Sequence, residues 1–408
     1  MAAVAVLARH AAARTASVAA AAAAARARAP CKLFTIGEGA ADLKALELTS
    51  PSFAELVAAK VPFVDKTSGI ADLLVREGEQ SAIARRAFFT RPRKFGKSLT
   101  LSTARAILAA GNLPPGVSGW QGYDEEADAT KLKGTAVYDR FTRGELGDLM
   151  ARPHFVVSLD LGGAATGAKL EAVIMSRIAS IACSAFGPRL EAKVLRQPTV
   201  DTALGALIAA VPSEVPVAVL VDEYDAAIIE DVANKRWDAA GEALAALRSL
   251  MMATKSTLGN RRISHFILTG VARFATVTHF GGANTFKDMT NDPRLGAAIG
   301  FTDSEIRASF PNHLARLAIK TGGSVEDTMH KLAHWYGGYC FDGATTCFSP
   351  FGVLRALQAG AIDGTVLEGA ISTKLVGVPA AKLLSSIADK EVSLPVDLAD
   401  LEEERVHA

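Results

Sequence analysis

Two short blocks hold the residues whose types and spacing could do chemistry. The first, FFTRPRKFGKSLTLSTARAIL, runs from the apolar Ala87-Phe88-Phe89 through a tight turn into Gly96-Lys97-Ser98, where a helix opens. Helix N-terminal amides and the helix dipole attract anions, a glycine lets backbone approach a phosphate, and a lysine there reaches the β and γ oxygens. The Ser98 hydroxyl would sit on Mg²⁺. The general spacing for such a loop is G-x-x-x-x-G-K-[ST]. Counting back from Gly96 gives Arg91 where the first glycine belongs, so spacing alone leaves a solvated turn as the competing reading. The second block, VAVLVDEYD, sets Asp222 and Glu223 directly after an apolar run. An aspartate at such a strand end can hold Mg²⁺ through water, and the adjacent glutamate is placed to polarise an attacking water. A helix N-cap is the plainer use of the same pair. Downstream, ISHFILTGVARF ends in Thr269, which could sense a γ-phosphate, and Arg273, which could reach phosphate or cap a helix.

These groups need a scaffold that brings three strand ends to one edge. Apolar runs ending at Thr90 (from Ala82), His154–Leu161, Val217–Val221 and Ile263–Thr269 read as buried strands. Helical stretches lie around and between them: one opening at Ser52, with Glu55 three residues on, then Leu99–Ala110, Lys169–Phe186 and Trp237–Thr257. GNLPPGVSG from Gly111 is a loop. Strands alternating with helices give an α/β class, with a parallel sheet covered on both faces. After Phe301 the strand signals fade, and TDSEIRASF opens a mainly helical region with a capping box at Thr302 and Glu305.

Half of the residues are hydrophobic and 21% are charged, which suits a large buried core and excludes a disordered chain. A net charge of +1 does not support a broad nucleic-acid surface, although nucleic acid stays open as a partner. The four cysteines, Cys31, Cys183, Cys340 and Cys347, are too irregular for a disulfide framework. Residues 1–35 differ from the rest: Arg9, Arg14, Arg26 and Arg28 stand among alanines, and Glu38 is the first acid. Such a leader is expected to direct import into an organelle, mitochondrion or plastid; low-complexity filler and a secretory signal are the alternatives. No stretch reads as a transmembrane helix.

The chain resembles the AAA-ATPase-like family of P-loop proteins. The matching blocks, in order, are VDKT (Val64 to Thr67), TRPRKFGKSL (Thr90 to Leu99), VLVDEYDAAI (Val219 to Ile228), LTGVARF (Leu268 to Phe274), NTFKDMTNDP…GFTDSEI (Asn284 to Ile306) and WYGGYCFDG…FSPFGVL (Trp335 to Leu354). In that family an arginine in place of the first glycine is usual, so Arg91 no longer counts against a phosphate loop. The resemblance implies nucleotide binding and hydrolysis on an additional-strand P-loop core, with the Thr269 strand inserted between those ending at Arg91 and Asp222. Family members commonly continue into a nuclease domain with a P-D…(D/E)-x-K signature. Nothing after Leu354 matches it, and Asp389-Lys390-Glu391 reads as a surface turn, so nuclease activity is not carried over.

The expectations are therefore a leader (1–35), a P-loop NTPase domain (36–300) and a smaller, mainly helical C-terminal region (301–408). ATP is expected to bind at Arg91, Arg93, Lys94, Phe95, Gly96, Lys97, Ser98 and Leu99, with Mg²⁺ on Ser98 and Asp222. Glu223, Thr269 and Arg273 are the expected catalytic groups, with Asp225 the reserve base. Slow hydrolysis would be coupled to the C-terminal region; a non-catalytic interaction module is the alternative function. A protein partner or self-association is expected, without identity. Arg294 is a candidate finger into a neighbouring site, against an exposed loop arginine. His334, Cys340 and Cys347 could hold a metal but lack the paired spacing of a zinc site. Trp335, Tyr336 and Tyr339 read as C-terminal core, and His265 as a satisfied core histidine.

Overall fold

The computed structural model describes residues 52–59, 62–75, 86–110, 132–147, 149–150, 153–163, 166–273 and 286–362. The leader, the Gly111 loop, the start of the strand expected from Ala82 and everything after residue 362 lie outside these residues. Five strands, β1 (Arg86–Thr90), β2 (Phe155–Asp160), β3 (Val217–Asp222), β4 (Ile263–Gly270) and β5 (Lys287–Asp288), form one parallel sheet in the order β2-β3-β4-β1-β5. The strand carrying Thr269 thus lies between β1 and β3. Parallel strands need crossover connections, and the helices that supply them cover both faces, giving an α/β core of P-loop type.

Burial on both sides explains why β3 is apolar without interruption. Val217, Val219 and Val221 enter the core built with helices Leu170–Phe186, Val200–Ile208, Ala226–Ala233 and Trp237–Met252. Ala218 and Leu220 point the other way, toward helices Phe53–Ala59, Thr67–Leu74, Lys97–Ala109 and Ala136–Thr142. The helix read from Trp237 to Thr257 ends at Met252; a 3-10 turn, Ala253–Lys255, and a new helix, Thr257–Arg262, follow. Ser256 makes that break by accepting the Gly259 N–H at 2.9 Å as an N-cap.

The third core belongs to the helices after Phe301. Ile306, Phe310, Leu314, Leu317, Met329, Leu332, Tyr336 and Leu357 pack together with Val64 from near the start of the described chain. The Thr302–Glu305 capping box is formed. Lys66 ties this region to the core, donating to the Ala297 carbonyl at 2.7 Å and to the Glu305 carboxylate at 2.5 Å. Strand structure does not end at Phe301, contrary to the sequence reading. A hairpin of β6 (Tyr339–Cys340) and β7 (Thr346–Cys347) follows, and Phe301 and Phe348 exchange backbone hydrogen bonds at 3.1 and 2.7 Å. A fourth cluster, Phe89, Phe95, Met289, Leu295, Ala298, Ile299 and Cys347, joins this hairpin to the turn after β1. Tyr336 and Tyr339 are core or near-core as expected, whereas Trp335 is exposed. Among the described residues no helix is long and apolar enough to cross a membrane.

Candidate functional site

The site is assembled at the edge where β1, β3 and β4 all end. After β1 the chain turns through Arg91 to Gly96 and enters the helix Lys97–Ala109. The turn needs left-handed backbone at Lys94 (φ 59°) and at Gly96 (φ 92°, ψ 19°), the helix N-cap. A Cβ at Gly96 would meet nothing within 4 Å, so the turn is open on that side. Lys97 is buried, and its ammonium donates to the carbonyls of Arg91 (3.1 Å) and Pro92 (3.0 Å). The lysine is folded back over its own loop, held by neutral acceptors that an anion could replace.

Ser98, beside it, opens the helix near the Asp222 carboxylate at the end of β3, close enough for its hydroxyl to hold the Asp222 pKa down. Asp222 accepts the Glu223 N–H at 2.9 Å. Glu223 has φ 49°, a conformation rare for a residue with a side chain and often stored at functional sites. Its carboxylate lies against Gly162: a Cβ there would stand 2.0 Å from Glu223 Oε2. Gly162 is held by Asp160, whose Oδ1 accepts its N–H at 2.9 Å, and Asp160 pairs in register with Asp222 across β2 and β3. Three carboxylates, Asp160, Asp222 and Glu223, therefore share one edge.

On the neighbouring strand, Thr269 is fully buried, and its hydroxyl oxygen has no hydrogen-bond partner. An orphaned buried hydroxyl invites an explanation, and a ligand arriving at this edge is one. Backbone bonds knit the three strand ends together: Tyr224 N–H to Thr269 O at 3.2 Å, and Arg91 N–H to Gly270 O at 3.1 Å.

The fields around these groups oppose each other. Burial lowers the Lys97 pKa, while Asp225, Asp222 and Glu223 pull it back up. Burial raises the Asp222 pKa, against the lowering influence of the Ser98 hydroxyl. Glu223 is raised by burial first, then by the like charges of Asp222 and Asp160. Hard oxygen donors from Ser98 and Asp222, a buried lysine, a helix N-terminus and the orphaned Thr269 hydroxyl form a set that fits a phosphate with Mg²⁺.

Several expected residues have other occupations. The Arg91 guanidinium is 1% exposed and donates to the carbonyls of Thr90 (2.9 Å), Thr290 (2.8 Å) and Leu295 (3.3 Å). Burial lowers its pKa to about 10. Those contacts occupy the side chain, and its own carbonyl accepts from Lys97. Phe95 is likewise buried, edge-on to Tyr339 and Phe341, and Leu99 packs into the core beneath the helix. Arg93 and Lys94 are exposed, with the Lys94 ammonium 4.1 Å from the Phe351 ring centroid. Arg273 is exposed and donates to Asn291 Oδ1 at 2.6 Å. Arg294 is paired with its own chain's Asp292 at 2.9 Å. Asp225, the reserve base, is buried at the site's floor, and its Oδ2 accepts the N–H groups of Val271 (2.7 Å) and Ala272. It anchors the segment after β4. Cys340 is exposed, Cys347 is buried with its thiol on Gly296 O at 3.0 Å, and the His334 ring lies edge-on to Trp335. His265 is satisfied by Leu74 O and Ser264, as a core histidine should be.

Asp160 and Gly162 escaped the sequence reading, although HFVVSLDLGG carries the same apolar-run-then-aspartate signal as VAVLVD.

The chain matches the family described as Predicted AAA-ATPase (AAA-ATPase-like) over residues 49–112 and 149–280. It is also 30% identical over 305 residues to a protein of Azotobacter chroococcum mcd 1 described as "Uncharacterized protein in vnfD 5'region". That similarity covers 72% of this chain and 48% of the relative, so the chain spans about half of the relative's length.

Proposed function

The chain belongs to the AAA-ATPase-like family, and on that premise we propose that it binds ATP with Mg²⁺ at the β1–β3–β4 edge and hydrolyses it slowly. The observation that carries this reading is the convergence of Ser98, at the head of the helix after β1, and Asp222, at the end of β3, on one edge. It brings a hydroxyl from the helix after β1 against a carboxylate from β3, the two oxygen donors a P-loop site uses for its metal.

The roles follow from position. The amides of Gly96, Lys97, Ser98 and Leu99 at the helix N-terminus would hold phosphate oxygens, with Lys97 moving from the Arg91 and Pro92 carbonyls onto the anion. Arg93 and Lys94, at the exposed lip of the loop, add positive charge. Ser98 and Asp222 would hold Mg²⁺, which would supply positive charge against the phosphates. Glu223 would orient a water molecule and accept its proton, its raised pKa making it a stronger base than an ordinary glutamate. The Thr269 hydroxyl would find its missing partner on the substrate's terminal phosphate. Arg273 would approach from the exposed side once released from Asn291.

The C-terminal region, packed on the loop through the fourth cluster, would register the change between bound states. A protein partner or a second copy would receive that change, and the basic leader points to an organellar destination.

Phosphate release from ATP and Mg²⁺ by the full chain tests the catalytic half of this reading. Release abolished by Glu223→Gln supports it. No release under any condition, with ATP still bound, assigns the protein to the class of non-catalytic interaction modules.

A further inference from the structure

The loop from Arg91 to Gly96 is gripped from outside the nucleotide core at three points, all by the C-terminal segment. The Arg91 guanidinium carbon lies 3.9 Å from the centroid of the Phe341 ring. Phe95 meets the same ring edge-on at 5.4 Å and Tyr339 at 4.9 Å. Lys94 rests on Phe351. Phe341 itself, between β6 and β7, is part-buried and well anchored. The Phe301–Phe348 pairing fixes the base of its hairpin, and Asp342 accepts the N–H groups of Ala344 (2.9 Å) and Thr345 (2.7 Å) within the turn.

The loop has reason to need such a grip. Phosphate loops of the general pattern begin with a glycine, and here that position is Arg91. A lysine at φ 59° supplies one of the two left-handed turns. Unfavoured backbone persists when its surroundings over-determine it. Arg91 does this at both ends, its N–H on Gly270, its carbonyl on Lys97, its guanidinium on Thr290, Leu295 and Phe341.

We propose that Phe341, acting through Arg91 and Phe95, is a positioning residue that clamps the loop in its phosphate-receiving shape. Nucleotide affinity is then set in part by the C-terminal hairpin. The proposal rests on the reading that this loop binds ATP. Loosening the clamp lowers the fraction of molecules with a competent loop, and apparent affinity falls by that fraction. Once ATP is bound the loop is competent, so turnover at saturation stays as it was.

The test uses the full chain, comparing wild type with Phe341→Leu, Phe341→Tyr, Arg91→Lys and Lys97→Ala. ATP·Mg²⁺ affinity is read by calorimetry, KM and kcat by phosphate release, and thermal stability separately. Leucine keeps apolar bulk but removes the aromatic face; tyrosine restores it. Phe341→Leu is expected to weaken affinity and raise KM about tenfold, with kcat within about twofold of wild type, and Phe341→Tyr to recover wild-type affinity. Arg91→Lys, which keeps the charge but loses the planar guanidinium, is expected to weaken ATP·Mg²⁺ affinity as Phe341→Leu does, and its affinity serves alone if the leucine variant does not fold. Wild-type affinity in a folded Phe341→Leu or Arg91→Lys, while Lys97→Ala loses binding, overturns the clamp and leaves the nucleotide reading standing. Wild-type affinity in Lys97→Ala overturns both.

Discussion

The Ser98 side chain lies near enough to the Asp222 carboxylate to lower its pKa, although one opens the helix after β1 and the other ends β3, with β4 between the two strands. That proximity places two oxygen donors together before any metal arrives. Asp222→Asn removes the charge while keeping the shape. It is expected to weaken ATP binding in the presence of Mg²⁺ by about tenfold or more, because a charge-assisted contact contributes roughly 1.5–3 kcal/mol. Binding measured in excess EDTA should change little. Equal losses with and without Mg²⁺ would remove Asp222 from the metal site.

Glu223→Gln separates chemistry from binding. Turnover is expected to fall by about 10²–10⁴-fold, the usual range for a lost general base, with ATP affinity close to wild type. Since burial and the charges of Asp222 and Asp160 raise the Glu223 pKa, the base is protonated at a higher pH than an ordinary glutamate. The acid limb of the kcat/KM profile, which reports the free protein, should therefore lie above the usual glutamate range, with activity lost as pH falls through it. Asp160→Asn, which removes one of those charges, should move the limb to lower pH. An unmoved limb would show that the titrating group is not Glu223.

Gly162 is where the backbone of β2's turn makes room for that base. A methyl group there would stand 2.0 Å from Glu223 Oε2, inside any allowed contact. Gly162→Ala should displace the carboxylate and lower turnover on the order of 10²-fold, as ångström misplacements do, without loss of ATP affinity. Combined with Glu223→Gln, it should add almost nothing further. An additive double variant would mean that Gly162 acts elsewhere.

Asp225 makes a pH-dependent contribution to stability. Burial raises its pKa from 3.8 to about 6 despite the Val271 and Ala272 hydrogen bonds. A folded pKa above the unfolded one means that the group's contribution is fully present below about pH 4 and is lost as pH rises through about 6. Between pH 4.5 and 7 the wild type should lose on the order of 2 kcal/mol of stability from this group, a component absent from Asp225→Asn. Denaturant unfolding of both proteins across that range measures it. Parallel stability curves would contradict it.

Much of this was legible in the chain because burial on both faces writes itself as unbroken apolar runs. Val217–Asp222 and Ile263–Gly270 could be read almost to the residue, and the polar groups that end them mark the working edge. The sheet order was available only through the family resemblance. What escaped had too little local signal. The two residues of β5, Lys287 and Asp288, are polar and paired to β1 only by tertiary placement. The hairpin around Phe341 has strands of two residues each. The helix break at Ala253 leaves the apolar spacing intact and is visible only in the Ser256 cap. Arg91 was located by counting, but spacing says nothing of where a long side chain goes, and its guanidinium turned into the core.

The central claim is that this edge binds a nucleotide through Lys97. Titration calorimetry of ATP with Mg²⁺ into wild type and into Lys97→Ala tests it most directly. The ammonium's hydrogen bonds go to two neutral carbonyls, at 3.1 and 3.0 Å, so replacing it breaks no ion pair within hydrogen-bond distance. Affinity at least about tenfold weaker in the variant is expected, the effect of one charged hydrogen bond to phosphate. Equal affinities in the two proteins would contradict it.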